Sequence, residues 1–201
     1  MTPLAALLIA YFLGAIPFGY LLVKWKTGGD VRSSGSGNIG ATNVLRTTGR
    51  VAGVATLLLD TAKGYAAVWI AGSLTHESAL WMSAAAMAVV AGHAYPVFLN
   101  FKGGKAVATL LGSFLCLAPL AIAAECIVFV VVVAWTHHIS MGSIVSAATL
   151  PLAVWLILQP PIPVVVAAVA GGAFIIYKHS SNIRRLREGT ENRFTFGARK
   201  P

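Results

Sequence analysis

The feature that most constrains this chain is a series of long apolar segments. A membrane-spanning helix needs about 20 predominantly apolar residues to cross about 30 Å of hydrocarbon. Residues 3–23, 51–72 and 79–99 meet this length easily. Only 10% of all residues are charged, whereas soluble domains carry about 25%. The composition therefore excludes a soluble globular domain and a disordered chain, and it indicates an integral membrane protein.

The number of spans depends on one break in the second half of the chain. Residues 106–135 are predominantly apolar, and as a single helix they would be about 45 Å long, which is too long for one crossing. We expect Pro119 to divide them into two helices. The sequence thus predicts an all-α integral membrane protein with one domain over residues 1–201 and about seven spans, at residues 3–23, 51–72, 79–99, 106–118, 120–136, 141–158 and 162–177.

The basic residues predict the orientation of these spans. With seven spans, 14 of the 15 Lys and Arg residues lie on one side, in the loops 24–50 and 100–105 and in the tail 178–201. Lys63, the remaining one, lies inside a span. Because cytoplasmic loops are enriched in Lys and Arg, we expect the N-terminus outside and the C-terminus in the cytoplasm. Membrane topology also explains the net charge of +9, so nucleic acid is not a predicted partner.

One span carries two ionisable residues, Asp60 and Lys63, three positions apart. Ionisable groups within a bilayer are costly, and this spacing puts both side chains on one helix face. The favoured interpretation is an internal ion pair that fixes helix packing. A role in shaping the active cavity is the alternative.

The first polar segment of the chain, residues 35–46, has the composition of a phosphate-binding loop. Glycines allow positive φ and close approach of backbone N–H groups to an anion, Ser, Asn and Thr add neutral donors, and arginine adds a two-pronged guanidinium. The spacing of a nucleotide P-loop is absent. The candidate residues are Gly35, Ser36, Gly37, Asn38, Gly40, Thr42, Asn43 and Arg46.

A second polar segment, residues 92–109, precedes and begins the fourth predicted span. Lys105 stands at the start of that helix, where free N–H groups and the helix dipole attract phosphate. For His93, near the inner end of the preceding span, capping or packing is as well supported as direct contact with substrate. The other candidate residues are Gly103, Gly104 and Thr109.

A third polar segment, residues 177–191, follows the last predicted span. If it continues as a helix, a spacing of three puts His179, Asn182 and Arg185 on one face. A juxtamembrane basic cluster that attracts anionic lipid headgroups would explain the arginines. It explains His179 and Asn182 less well.

These three segments resemble the cytoplasmic motifs of the PlsY family, the bacterial acyl-phosphate:glycerol-3-phosphate acyltransferases. The motifs are GSGNIGATN at 35–43 with the following Arg46, GHAYPVFLNFKGGKAVAT at 92–109 and KHSSNIRRLREGTE at 178–191. The resemblance covers nearly the whole chain. It implies transfer of a fatty acyl group from acyl phosphate to the sn-1 hydroxyl of glycerol 3-phosphate, which gives lysophosphatidic acid and phosphate, at the cytoplasmic face of the bacterial inner membrane.

The resemblance also implies a set of site residues. Five would surround the phosphates and the reacting carbonyl: Ser36, Arg46, Lys105, His179 and Asn182. The glycines of both loops would supply N–H donors, and Glu191 would order the tail. The implied partners are acyl phosphate, glycerol 3-phosphate, membrane lipid and the soluble enzyme that makes acyl phosphate, and no metal or cofactor is implied.

The group that takes the hydroxyl proton stays open at this stage. His179 has a suitable pKa range. A phosphate oxygen of the substrate is mildly favoured, because acyl phosphate is already activated. Ser36 as a covalent acyl carrier ranks last, since no adjacent base in the sequence activates it. The expectation is direct transfer without an acyl-enzyme.

A membrane transporter of an organic phosphate is the alternative function, since it would also use several spans and anion sites at helix ends. A transport site is expected near the bilayer midplane, between repeated halves. The three polar segments lie instead at one face, and the two halves show no convincing repeat.

Overall fold

The computed structural model describes residues 2–194, and all regular structure in that range is helical. There are ten α-helices in these residues, numbered in chain order. They are α1 Thr2–Ala15, α2 Phe18–Thr27, α3 Ala41–Thr48, α4 Arg50–Leu74, α5 Ala79–Ala94, α6 Val107–Leu117, α7 Pro119–Thr136, α8 Ile139–Leu158, α9 Ile162–Lys178 and α10 Ser180–Arg187. Short 3-10 turns lie at Val31–Ser33 and Val97–Leu99. The final tail residues 195–201, with the predicted cytoplasmic Arg199 and Lys200, lie outside the described residues.

Proline determines where several helices begin and end. Helix α7 starts at Pro119, directly after α6 ends at Leu117, as the sequence predicts. Pro17 separates α1 from α2, so the first predicted span consists of two helices. Helix α5 ends at Ala94, two residues before Pro96, because the residue before a proline avoids helical backbone. The second polar segment therefore leaves α5 after Ala94, five residues before the predicted end of the third span at residue 99.

Five candidate spans are long and apolar enough to cross a membrane within the described residues: Thr2–Thr27, Arg50–Leu74, Ala79–Leu99, Pro119–Thr136 and Ile139–Leu158. A sixth results if α9 and α10, which are bent by 56° relative to each other, count as one. The 11 residues of α6 are only about 16 Å long, about half the hydrocarbon thickness. The fold is that of an all-α membrane protein, and seven crossings with the stated orientation stay a prediction.

Glycines let the helices at the centre of the bundle approach closely. A Cβ on Gly14 of α1 would overlap the Val89 carbonyl of α5, and one on Gly92 of α5 would overlap the Tyr11 carbonyl of α1. Between α4 and α6, Gly64 and Gly112 have the same function. In lipid, where the hydrophobic effect does not drive helix association, such close packing of small residues is a main source of stability.

These contacts bring the three polar segments to one end of the helices. Helix α4 packs against α1, α3, α5 and α6, while α9 packs against α5, α8 and α10. The loop 95–106 between α5 and α6 therefore lies between the first polar segment and the tail that follows α9.

Candidate active site

The first polar segment is organised by one buried side chain, Asn43. Its Oδ1 accepts a hydrogen bond from the Ser36 amide at 2.8 Å. Its Nδ2 donates to three carbonyl oxygens, those of Val31 at 3.2 Å, Ser34 at 3.1 Å and Asn38 at 2.8 Å. The loop thus wraps around the amide of Asn43, and the residue holds the loop in place from within.

Replacement of Asn43 by alanine is expected to lower the free energy of unfolding by about 1–3 kcal/mol, because it removes the partner of four buried or partly buried backbone groups. Chemical denaturation in detergent measures this change. Thr48→Ala, on the same helix, is the control and should stay within about 0.5 kcal/mol of the unmodified protein. Equal stability of the Asn43 variant and the control would contradict this account of the loop.

Most of the loop glycines have their amide N–H groups occupied. Gly37 donates to the Ser34 carbonyl and Gly40 to Asn38 Oδ1. Gly103 and Gly104 donate to the carbonyls of Ala94 and His93. We expected free N–H donors at these four positions. In the structure, the four N–H groups instead form hydrogen bonds within the protein. Gly35 and Gly37 have φ values of 60° and 69°, which favour glycine.

His93 is the residue against which the second loop packs. Its ring is 4% exposed, and Nδ1 lies 3.1 Å from Thr109 Oγ1. A Cβ on Gly104 would overlap its Nε2. All of these contacts are with protein groups, and they favour the packing interpretation of His93.

Lys105 leads directly to the third polar segment. Its Nζ donates a hydrogen bond to Asn182 Oδ1. Asn182 Nδ2 in turn donates to Glu191 Oε1 at 2.8 Å. Glu191 also accepts hydrogen bonds from Arg185 Nε at 2.7 Å and from Ser140 Oγ at 3.0 Å. This chain of contacts, Lys105–Asn182–Glu191 with Arg185 and Ser140, is called the Glu191 cluster below.

Positive charge exceeds negative charge around Lys105. Burial is the main cause that lowers the pKa of Lys105 to about 8, and Glu191 acts in the opposite direction. The positive charges of Arg185, Arg46 and Lys178 lower the pKa of Lys105 further. One carboxylate therefore faces four cationic side chains, an arrangement suited to an anion with two or more negative charges.

The pKa of Lys105 predicts an alkaline limit of activity. Lys105 carries its charge below its pKa of about 8 and loses it above, so kcat/KM for an anionic substrate should fall above about pH 8. In Lys105→Arg the side chain stays charged to above about pH 12, so this decline should disappear even if the rate is lower. Steady-state rates from pH 6 to 10 test this, and an unchanged alkaline decline in Lys105→Arg would contradict it.

His179 lies at the bend between α9 and α10. Its ring is 3% exposed, and Nδ1 is 2.8 Å from the Ile175 carbonyl oxygen. Because a carbonyl oxygen only accepts, Nδ1 carries the proton, and Nε2 of the neutral ring is left as an acceptor. This tautomer leaves Nε2 free to accept a proton, but burial and the charge of Lys105 lower the pKa of His179 to about 4. The expected pKa range of a general base at neutral pH is therefore not met.

The predicted site residues fall into two groups. Contacts or charge connect the predicted residues Arg46, Lys105, Asn182 and Glu191, which come from all three polar segments. Arg185, which is not among the predicted site residues, joins them through Glu191. Ser36 is exposed in the first loop and Thr42 lies in the first turn of α3, and no described contact joins the side chain of either one to the other segments. Sequence reasoning missed Ser140, whose only signal is a hydroxyl at the beginning of α8. It also missed the link between Asp60 and His93, with Oδ1 and Nδ1 3.6 Å apart.

Within residues 2–194, no group of three or more His, Cys, Asp or Glu side chains is arranged to hold a metal ion. The two cysteines, Cys116 and Cys126, are free thiols. The candidate site consists of cations, amides, hydroxyls and the single carboxylate of Glu191.

The family model described as glycerol-3-phosphate acyltransferase matches residues 4–189. This chain belongs to the glycerol-3-phosphate acyltransferase family. Within the family, a glycerol-3-phosphate acyltransferase of Geobacter sulfurreducens is 49% identical over 186 residues, which cover 92% of this chain and 94% of the relative. One from Trichlorobacter lovleyi is 49% identical over 188 residues, with 92% and 94% covered.

A solved structure of the glycerol-3-phosphate acyltransferase family has the same fold. The crystal structure of PlsY (YgiH), an integral membrane glycerol 3-phosphate acyltransferase, in its glycerol 3-phosphate form matches with a TM-score of 0.92 and 38% identity. The match covers 97% of this chain and 96% of that one. The resemblance to the PlsY family seen in the sequence is thereby confirmed.

Proposed function

We propose that this glycerol-3-phosphate acyltransferase takes its acyl group from acyl phosphate and transfers it to the sn-1 hydroxyl of glycerol 3-phosphate, giving lysophosphatidic acid and phosphate. The observation that carries the proposal is that three further cationic side chains, those of Arg185, Arg46 and Lys178, act on Lys105. Both substrates are phosphate esters or anhydrides, so the reaction brings two phosphate groups close together. A site with a single carboxylate among four cations offsets that repulsion.

The reaction needs positioning more than activation. The hydroxyl oxygen attacks the carbonyl carbon of the acyl phosphate, the new C–O ester bond forms, and the bond between that carbon and the phosphate oxygen breaks. Phosphate is a good leaving group, so effective concentration and charge stabilisation supply most of the rate enhancement. We assign Lys105 and Arg46 to the phosphates, and Asn182 to holding Lys105 through Oδ1.

The hydroxyl proton has two candidate acceptors in this proposal. A phosphate oxygen of a bound substrate, with a pKa near 6, lies close to the hydroxyl when both phosphates share one cationic site. His179 Nε2 is the protein alternative, since the Ile175 carbonyl fixes the proton on Nδ1. Ser36 has no neighbouring base among the described contacts, which supports direct transfer without an acyl-enzyme.

The site faces the cytoplasm of a bacterial inner membrane in this proposal. The cations around Lys105 belong to the three polar segments, which the distribution of basic residues assigns to the inner side. Acyl phosphate carries a fatty chain that enters from the bilayer, while glycerol 3-phosphate and the soluble enzyme that makes acyl phosphate approach from water.

The donor is tested with purified protein and radiolabelled glycerol 3-phosphate. Palmitoyl phosphate, palmitoyl-CoA and palmitoyl-acyl carrier protein are supplied in parallel, and labelled lysophosphatidic acid is scored. We expect product with palmitoyl phosphate alone. Equal rates with either thioester would overturn the donor assignment, and movement of unchanged glycerol 3-phosphate into liposomes without product would favour a transporter.

Direct transfer has its own test. The protein is incubated with radiolabelled palmitoyl phosphate alone, separated from the donor and treated with hydroxylamine. We expect no hydroxylamine-sensitive label on the protein. A label that is present in the unmodified protein and absent in Ser36→Ala would show a covalent intermediate and reject direct transfer.

A further inference from the structure

A buried ion pair inside the helical bundle involves two residues that the proposed reaction does not use. Asp60 and Lys63 of α4 are 2% and 4% exposed, and Lys63 Nζ lies 2.8 Å from Asp60 Oδ1. Lys63 Nζ also donates to the Ile16 carbonyl at 2.8 Å, at the break between α1 and α2. The lysine thus has a packing role of its own, which joins α4 to the first helices.

Beyond the ion pair, Lys63 contacts the Ile16 carbonyl, whereas Asp60 lies beside His93. Asp60 Oδ1 lies 3.6 Å from Nδ1 of His93, on α5. The same Nδ1 is 3.1 Å from Thr109 Oγ1, on α6. Three helices therefore meet at this imidazole, and the close approach of α4 to α6 at Gly64 and Gly112 makes the meeting possible.

His93 also contacts the loop that carries Lys105. Its Nε2 lies against Gly104, where a Cβ would overlap the ring. Its carbonyl oxygen accepts the Gly104 amide at 3.1 Å, and the next carbonyl, that of Ala94, accepts the Gly103 amide at 3.3 Å. Lys105 is the next residue in the chain, so the imidazole and the end of α5 together determine where its backbone lies.

We propose that Asp60 is a positioning residue for Lys105, acting through the His93 ring and the Gly103–Gly104 backbone. The inference rests on the proposed function, in which Lys105 holds a substrate phosphate. An ion pair used only for helix packing accounts for the Lys63 contact with Ile16. It does not account for a carboxylate directed at the imidazole that supports the active-site loop.

Two measurements on the full-length protein test this proposal. The first is hydrogen exchange of peptides that contain residues 103–105, which needs no substrate. The second is the calorimetric affinity for glycerol 3-phosphate, measured without donor. The variants are Lys63→Met, Asp60→Asn/Lys63→Met, His93→Gln, Lys63→Met/His93→Gln and the combination of all three substitutions. The double variant avoids leaving the lysine charge unpaired in the bundle.

Loss of Asp60 is expected to act locally. Compared with Lys63→Met, the Asp60→Asn/Lys63→Met variant should exchange faster at 103–105, with unchanged exchange at 35–43, and should bind glycerol 3-phosphate about tenfold more weakly. In the His93→Gln background, Asp60→Asn/Lys63→Met should change the affinity for glycerol 3-phosphate no more than Lys63→Met alone does. The reason is that Asp60 acts through the imidazole ring, which this background lacks. Ser83→Ala, also on α5, is the control and should change neither readout.

Other results would overturn the inference. Additive effects of the Asp60 and His93 substitutions, or faster exchange spread evenly over α4, α5 and α6, would mean that the pair only stabilises the bundle. If the unmodified protein binds no glycerol 3-phosphate, the proposed function fails, and the exchange data alone decide the role of Asp60. Faster exchange confined to 103–105 then supports that role, and unchanged exchange there rejects it.

Discussion

Replacement of Lys105 by alanine is expected to lower kcat by about 10²–10³-fold, the usual effect of removing one preorganised group that stabilises charge in a transition state. Lys105 is the cation at which the three polar segments meet, through its bond to Asn182 and its proximity to Arg46. Arg185 does not take its place, because its guanidinium is engaged with Glu191 at 2.7 Å. Initial rates with saturating palmitoyl phosphate and glycerol 3-phosphate measure the change.

The chain offers a matched control for this substitution. Lys102 lies in the same loop, three residues earlier, and is exposed. Lys102→Ala removes the same charge and the same side-chain length, and it should lower kcat by less than about threefold, as surface substitutions do. A similar loss in both variants would mean that the loop acts only through its overall positive charge, and Lys105 would lose its assigned role.

Replacement of Glu191 by glutamine is expected to lower the free energy of unfolding by about 2–3 kcal/mol and to reduce activity at the same time. Burial of the Glu191 carboxylate raises its pKa, but hydrogen bonds from its three donors outweigh this effect and lower the pKa below its usual range. A neutral amide keeps one acceptor oxygen and turns the other into a donor that faces Arg185 or Asn182. Thermal unfolding in detergent measures stability, and rates measure activity.

Glu188→Gln is the matched control for this substitution. Glu188 directly follows α10, is exposed and lies three residues before Glu191. The charge change is identical, so a surface effect of net charge would appear in both variants. We expect the unfolding midpoint of Glu188→Gln to match that of the unmodified protein. Equal midpoints for Glu191→Gln and the unmodified protein would contradict the structural role of the Glu191 cluster.

The Glu191 cluster explains why the tail is part of the site. Ser140 begins α8, Asn182 and Arg185 lie on α10, and Lys105 precedes α6. A single carboxylate of the tail therefore binds both α8 and α10, and Asn182 of α10 binds the lysine. The Phe194 amide also donates to the His137 carbonyl at 2.7 Å, which holds the tail against the turn before α8. Loss of Glu191 should consequently affect Lys105 without any direct contact between them.

Sequence alone determined the helical membrane fold. Segments of about 20 apolar residues have to form helices in lipid, because no water is present to satisfy backbone groups. Pro119 likewise marks the boundary between α6 and α7, since proline lacks the N–H that would continue a helix. The three polar segments were also identifiable, because glycine-rich, polar and basic residues stand out against an apolar background.

The tertiary structure decided which of these polar groups are left to act on a ligand. Asn43 looked like a phosphate donor, but its amide is used inside the loop, and the Gly103 and Gly104 amides close on α5. Ser140 and Glu191 are 51 residues apart, and Lys105 and Asn182 are 77 apart. Such partners are chosen by how helices pack, not by local spacing. The sequence determined where charge and hydrogen-bonding groups occur, and helix packing determined which of them bind each other.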